Sequence, residues 1–85
     1  MKENELLSLP LEKIRRAATQ NSVSDAEFAD LIYLALSELD VSEQNFRDAF
    51  GLSQETVHRW TTGKNLPQPQ TRTAILRWVL QQKSL

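Results

Sequence analysis

Apolar side chains recur along the chain with the three- and four-residue spacing of helices, and no stretch alternates with the two-residue period of strands. The clearest case follows Ser24, where one apolar stripe contains Phe28, Leu31, Ile32, Ala35 and Leu39. A second apolar line beside it contains Ala29, Tyr33 and Leu36. A helix that is apolar on more than one side is usually packed between neighbours, so this segment is predicted to be the central helix.

Capping and turn residues mark the ends of the predicted helices. Ser24 and Glu27 form a capping-box pattern at the start of the central helix, and Asp40 and Val41 close it. Gly51 is suited to the left-handed conformation that ends a helix. The other four helices are predicted at about 9–20 with Pro10 in its first turn, at 42–50 with Phe46, Ala49 and Phe50 inward, at 53–62, and at 69–82.

The first predicted helix has more leucines than one buried stripe requires. Its stripe contains Leu7, Leu11, Ile14 and Ala18, and Leu6 lies beside it. Two interpretations remain open at this point: the leucines cover the small core, or they form a dimer interface.

Composition is that of one small globular domain. Forty per cent of the 85 residues are hydrophobic and 25% are charged, without cysteine and without an apolar run near the roughly 18 residues of a membrane span. The opening MKENELLSLP is too acidic for a secretory signal, so a cytoplasmic protein is expected. We expect an all-α five-helix bundle over 1–85, with 1–23 as an N-terminal extension helix and 24–82 as the core.

Charge is divided unevenly along the chain, although the formal net charge is only -1. Residues 1–50 carry ten acidic and five basic side chains, whereas residues 51–85 carry one acidic and five basic side chains. A polyanion responds to the local field rather than to the total, so the acidic net charge does not exclude nucleic acid as a partner.

The two short helices at 42–50 and 53–62 predict a helix-turn-helix, because only a tight turn at Gly51 separates them. Its inward positions are Phe46, Phe50, Leu52, Val57 and Trp60. The opposite side of the second helix carries Gln54, Glu55, His58, Arg59 and Thr62. Trp60 and Trp78 are interpreted as core side chains rather than as platforms for stacked bases.

The exposed residue types suit contacts with base edges in a major groove. Arg59 can donate two hydrogen bonds to guanine, Gln54 can pair with adenine, and Glu55 can accept from cytosine. His58 lacks the partners that a catalytic base or a metal ligand needs, so a contact with DNA is the favoured role. Positions predicted to contact the DNA backbone are Ser53, Thr62, Lys64, Asn65 and Arg72.

The segment SEQNFRDAFGLSQETVHRWTTGKNLPQPQTRTAILRWV resembles the helix-turn-helix core of the phage repressor and Cro family, the XRE-like class. The similar features are the G-L-S turn, the run S-Q-E-T-V-H-R-W, and T-G-K-N-L-P before a further amphipathic helix; the resemblance extends over about residues 24–79. It implies a lambda-repressor-like domain of a bacterial or phage regulator that binds operators as a dimer. By position it also implies base contacts from Gln54, Glu55, His58 and Arg59, and phosphate contacts from Lys64 and Asn65.

Two positions depart from the family pattern. Arg47 stands where the family prefers a small residue, so its stem is expected to extend outward. Glu43 stands where many members have a glutamine that meets a phosphate, and a carboxylate weakens that contact. The predicted function is a sequence-specific regulator of transcription, most simply a repressor, that binds a palindromic operator without a cofactor or metal. The alternatives are a protein–protein adaptor and an antitoxin-like regulator whose acidic N-terminal half binds a protein; no constellation of an enzyme is present.

Overall fold

The computed structural model describes residues 2–20 and 22–83, with side chains described from residue 9 onward. These residues form five helices and no strand, which confirms the predicted all-α fold. Their bounds are Lys2–Ala18 for α1, Asp25–Ser37 for α2, Glu43–Phe50 for α3, Gln54–Thr61 for α4 and Pro69–Lys83 for α5. In this part of the chain, no helix has both the length and the apolar character required to cross a membrane.

Helix α2 occupies the predicted central position and packs against α1, α4 and α5. Its principal apolar stripe is buried from Phe28 to Leu39, beyond the end of the helix. The Ser24 hydroxyl caps the first turn, because it accepts a hydrogen bond of 3.2 Å from the Glu27 amide. The helix ends earlier than predicted, at Ser37, and Asp40 in the following turn adopts a left-handed backbone with φ 55°.

Two side chains that were predicted to face inward are exposed. Tyr33 on α2 is 59% exposed, although Ala29 on the same predicted line is buried. Ala49 on α3 is also exposed, because that helix reaches the core only through Phe46 and Phe50, one turn apart. Helical spacing shows which apolar side chains share a face, but it does not show which of them are covered by another part of the protein.

Helix α1 begins at Lys2, well before the predicted start, so Pro10 lies inside the helix rather than in its first turn. Because proline has no N–H, the carbonyl of residue 6 lacks its usual partner within the helix. Ile14 and Ala18 are buried and Leu11 is half-buried against the core, as predicted. The side chains of Leu6 and Leu7 lie outside the described residues, so the part that they play stays a prediction.

Five aromatic rings from four helices form the centre of the fold. Phe46 of α3 lies 6.1 Å from Trp60 of α4 and 5.8 Å from Trp78 of α5, measured between ring centroids. Phe28 of α2 meets Trp60 edge to face at 5.8 Å, and Phe50 meets Trp78 at 5.5 Å. Such tilted contacts are the preferred arrangement of aromatic pairs and add to the burial of the rings. The predicted core role of both tryptophans agrees with this cluster.

Arg72 does not face solvent, and this removes it from the predicted contacts with DNA phosphate. It is 7% exposed, and its Nη1 donates to the Val23 carbonyl at 2.7 Å and lies 2.8 Å from an Asp25 carboxylate oxygen. Its Nε donates to the Pro67 carbonyl at 2.8 Å, and its guanidinium lies 5.9 Å from the Phe28 ring centre. Arg72 therefore ties the start of α5 to the segment that enters α2.

Replacing Arg72 with methionine should lower the free energy of unfolding by about 2–4 kcal/mol, because two buried carbonyls lose a charged donor. Urea unfolding followed by circular dichroism measures this loss. Arg77→Met is the matched control, since Arg77 is exposed on the same helix, and it should change stability by less than about 0.5 kcal/mol. Equal losses in the two variants would show that the Arg72 hydrogen bonds contribute little.

Candidate nucleic-acid interface

Helices α3 and α4 are joined by a turn of only three residues, 51–53. Gly51 adopts the predicted left-handed conformation with φ 65°, and the Leu52 amide bonds back to the Arg47 carbonyl at 2.9 Å. Ser53 then caps α4, because its hydroxyl accepts a hydrogen bond of 3.0 Å from the Thr56 amide. These local signals produce two eight-residue helices in the order that the sequence predicts.

Val57 and Trp60 fix which side of α4 faces the protein. Both are buried, and Trp60 contacts the rings of Phe28 and Phe46. The Trp60 indole also donates a hydrogen bond of 3.0 Å from Nε1 to the Asn65 carbonyl. The same side chain therefore seats α4 on the core and holds the loop that follows it.

The four predicted base-contacting residues are all exposed on the remaining surface of α4: Gln54, Glu55, His58 and Arg59. Helical spacing brings Glu55 and Arg59 together, and Arg59 Nη2 lies 3.2 Å from a Glu55 carboxylate oxygen. An exposed pair of this kind contributes little to stability, so Arg59 remains available to a ligand. The pair nevertheless orients the guanidinium along the exposed face of the helix.

The residues predicted to contact the DNA backbone divide into three groups. Lys64 and Asn65 are exposed in the loop after α4, and Lys64 makes no ion pair with any described residue. The hydroxyls of Ser53 and Thr62 are exposed but serve the ends of α4, where Thr62 Oγ1 lies 2.9 Å from the Arg59 carbonyl. Arg72 is used inside the fold, as described above.

Arg47 departs from the expectation that its stem extends outward. Its side chain is half-buried rather than simply extended outward, and its Nε is buried without a hydrogen-bond partner among the described residues. A small residue at this position would avoid that cost, since an unsatisfied buried donor is unfavourable.

A groove beside α4 was not predicted from the sequence. It has a volume of about 260 Å³, and its walls include Tyr33 and Leu36 of α2, Glu43 of α3, and Gln54 and His58 of α4. The sequence feature that could have indicated this groove is Tyr33, the one tyrosine of the chain. Its polar hydroxyl makes it less suited to a buried apolar line than its neighbours.

No protein-family model, curated protein or solved structure matches the chain. The architecture and the exposed surface of α4 therefore carry the functional argument.

Replacing Trp60 with phenylalanine should keep an aromatic ring in the cluster but remove the hydrogen bond to the Asn65 carbonyl. We expect a loss of about 1–2 kcal/mol in stability and faster amide hydrogen exchange over residues 63–66, measured by NMR. Trp78→Phe is the matched control, because it shortens a ring of the same cluster without touching this loop. Equal acceleration of exchange in both variants would contradict the proposed link between Trp60 and the loop.

Proposed function

We propose that the chain is a sequence-specific, double-stranded DNA-binding regulator of transcription that inserts α4 into the major groove. The single observation that carries the proposal is that α4 has one side buried in the core and an opposite side exposed to solvent. Val57 and Trp60 seat one side of the helix in the core, while the side with Gln54, Glu55, His58 and Arg59 faces solvent. An exposed polar helix that follows a short turn is the arrangement that helix-turn-helix proteins use to contact base edges.

The chemistry of this surface supports contact with bases more than simple attraction to phosphate. Arg59 suits the two acceptors of guanine, and Gln54 suits the donor and acceptor of adenine. Glu55 would repel phosphate, so besides orienting Arg59 its place on this face is useful at a base edge that donates a hydrogen bond, or against unfavourable sequences. Next to the helix, Lys64 supplies an exposed cation for a backbone phosphate.

Two copies of the domain would bind two half-sites of a palindromic operator, about 34 Å apart, which is one turn of DNA. Repression by blocking access to a promoter is the simplest outcome, because it requires no further surface. The resemblance to the phage repressor and Cro family points in the same direction and suggests a bacterial or phage regulator that acts in the cytoplasm. No cofactor or metal takes part in this proposal.

The first test is selection of bound duplexes from a random library, followed by measurement of affinity for the selected duplex at several salt concentrations. Enrichment of a palindromic sequence is the expected result, with affinity that falls as salt rises because counterions are released from phosphate. If no sequence is enriched and only weak binding at low salt is seen, the chain does not act as a specific DNA-binding protein.

Arg59→Ala and Lys64→Ala should affect binding in different ways. Arg59→Ala should cost about 1–3 kcal/mol on the selected duplex and relax the preference at one base pair, whereas Lys64→Ala should weaken all duplexes alike and reduce the salt dependence. Arg15→Ala is the matched control, because Arg15 is also an exposed arginine paired with a glutamate on its own helix, at 3.1 Å. Identical effects of the first two variants across sequences would contradict the assignment of separate roles.

A further inference from the structure

Tyr33 is exceptional among the aromatic residues of the chain. The three phenylalanines and two tryptophans all belong to the central cluster, whereas Tyr33 is 59% exposed. Among the described residues, Leu9 on α1 is the other large hydrophobic side chain with comparable exposure. Tyrosine is enriched at protein interfaces, where its ring is buried by a partner and its hydroxyl stays near water.

The chain segment that contains Tyr33 is acidic. Residues 25–46 contain six carboxylates and no lysine, arginine or histidine. Asp25 is paired with Arg72, but the other five make no ion pair among the described residues: Glu27, Asp30, Glu38, Asp40 and Glu43. Asp30 lies one turn before Tyr33 on the same face of α2 and lines a groove between α1 and α2, whereas Glu43 lines the groove beside α4.

The groove described beside α4, here called the α2–α4 groove, is the place where these features meet. Tyr33 stands at its edge and Leu36 and Val57 supply apolar surface, while Gln54 and His58 form the wall on α4. A second groove between α1 and α2, of about 510 Å³, also reaches Tyr33, but its α1 wall carries Lys13 and Arg16. Those two cations would repel a basic partner, so the α2–α4 groove is the better match.

We propose that the α2–α4 groove binds a cationic helical segment of another protein, and that this segment displaces DNA. An apolar side chain of the segment would pack against Tyr33 and Leu36, and a lysine or arginine would face Glu43, the carboxylate that lines this groove. Such opposite charges favour encounter and select the partner. Because Gln54 and His58 form one wall of the groove, a bound segment would cover two of the residues proposed to contact bases.

A second copy of this chain fits the groove less well. None of the described lysines and arginines lines the α2–α4 groove, so a copy that placed one in the groove would have to offer a different surface from the one that it meets. Such a head-to-tail contact does not close into a two-fold dimer and tends to produce open chains of molecules.

The binding part of this inference is independent of the proposed DNA function, whereas the displacement part depends on it. The experiment is selection of peptides from a random display library against the full chain, after which the labelled winning peptide is titrated by fluorescence anisotropy. We expect the winners to be rich in lysine and arginine around an apolar anchor, with affinity that falls as salt rises. Absence of enrichment, or enrichment of acidic peptides, would overturn the proposal.

Two variants locate the binding surface. Tyr33→Ala should weaken the winning peptide by about tenfold or more, as the loss of an interface anchor does, while Glu43→Gln should weaken it less and reduce its salt dependence. Leu9→Ala is the matched control, because Leu9 is an equally exposed apolar side chain on another helix, and it should leave affinity unchanged. Loss of binding in Leu9→Ala but not in Tyr33→Ala would overturn the assignment.

Sedimentation and competition separate the remaining outcomes. If the unmodified chain self-associates and Tyr33→Ala abolishes this, the occupant is a second copy and the proposed foreign partner is wrong. If the peptide binds as expected but no duplex is ever selected, the DNA function fails and the docking surface stands. Where a duplex has been selected, the peptide should release it; a stable complex of chain, duplex and peptide would overturn displacement.

Discussion

The packing of Trp60 in the aromatic cluster is the interaction on which the proposed DNA-binding surface depends. Helices α3 and α4 have eight residues each, below the roughly 12–15 residues at which an isolated helix becomes even marginally stable in water. Their serine caps help, but tertiary packing must supply most of the stabilisation. Trp60 supplies it from α4 by contacting Phe28 and Phe46, and its indole N–H also fixes the next loop through Asn65.

The sequence predicted those features of the fold that depend on near neighbours. The inward side of α4 follows from the three-residue spacing of Val57 and Trp60, and the turn before it follows from Gly51. The same reasoning also predicted the exposed face with Gln54, Glu55, His58 and Arg59. Each of these conclusions concerns residues within one or two helical turns of each other, where geometry is nearly fixed by the backbone.

Features that depend on distant neighbours were not predicted. Arg72 looked like one more surface cation, but its acceptor at Val23 is 49 residues away, and no local pattern identifies such a partner. Tyr33 lies on an apolar line, yet its side chain is 59% exposed. Spacing alone therefore predicted, wrongly, that it faces inward. The start of α1 was missed because proline is common in a first turn, whereas here Pro10 is tolerated inside the helix.

The placement of both tryptophans in one aromatic cluster gives the protein an internal optical reporter. Indole emission depends on the polarity around the ring, and both indoles are held by the same packing among α3, α4 and α5. A change that separates α4 from the core therefore exposes the Trp60 ring to water and shifts its emission to longer wavelength. A ligand on the solvent-facing side of α4 leaves the surroundings of the Trp60 ring unchanged. Intrinsic fluorescence can thus distinguish a variant that lacks one exposed side chain of α4 from a variant in which α4 itself no longer packs on the core.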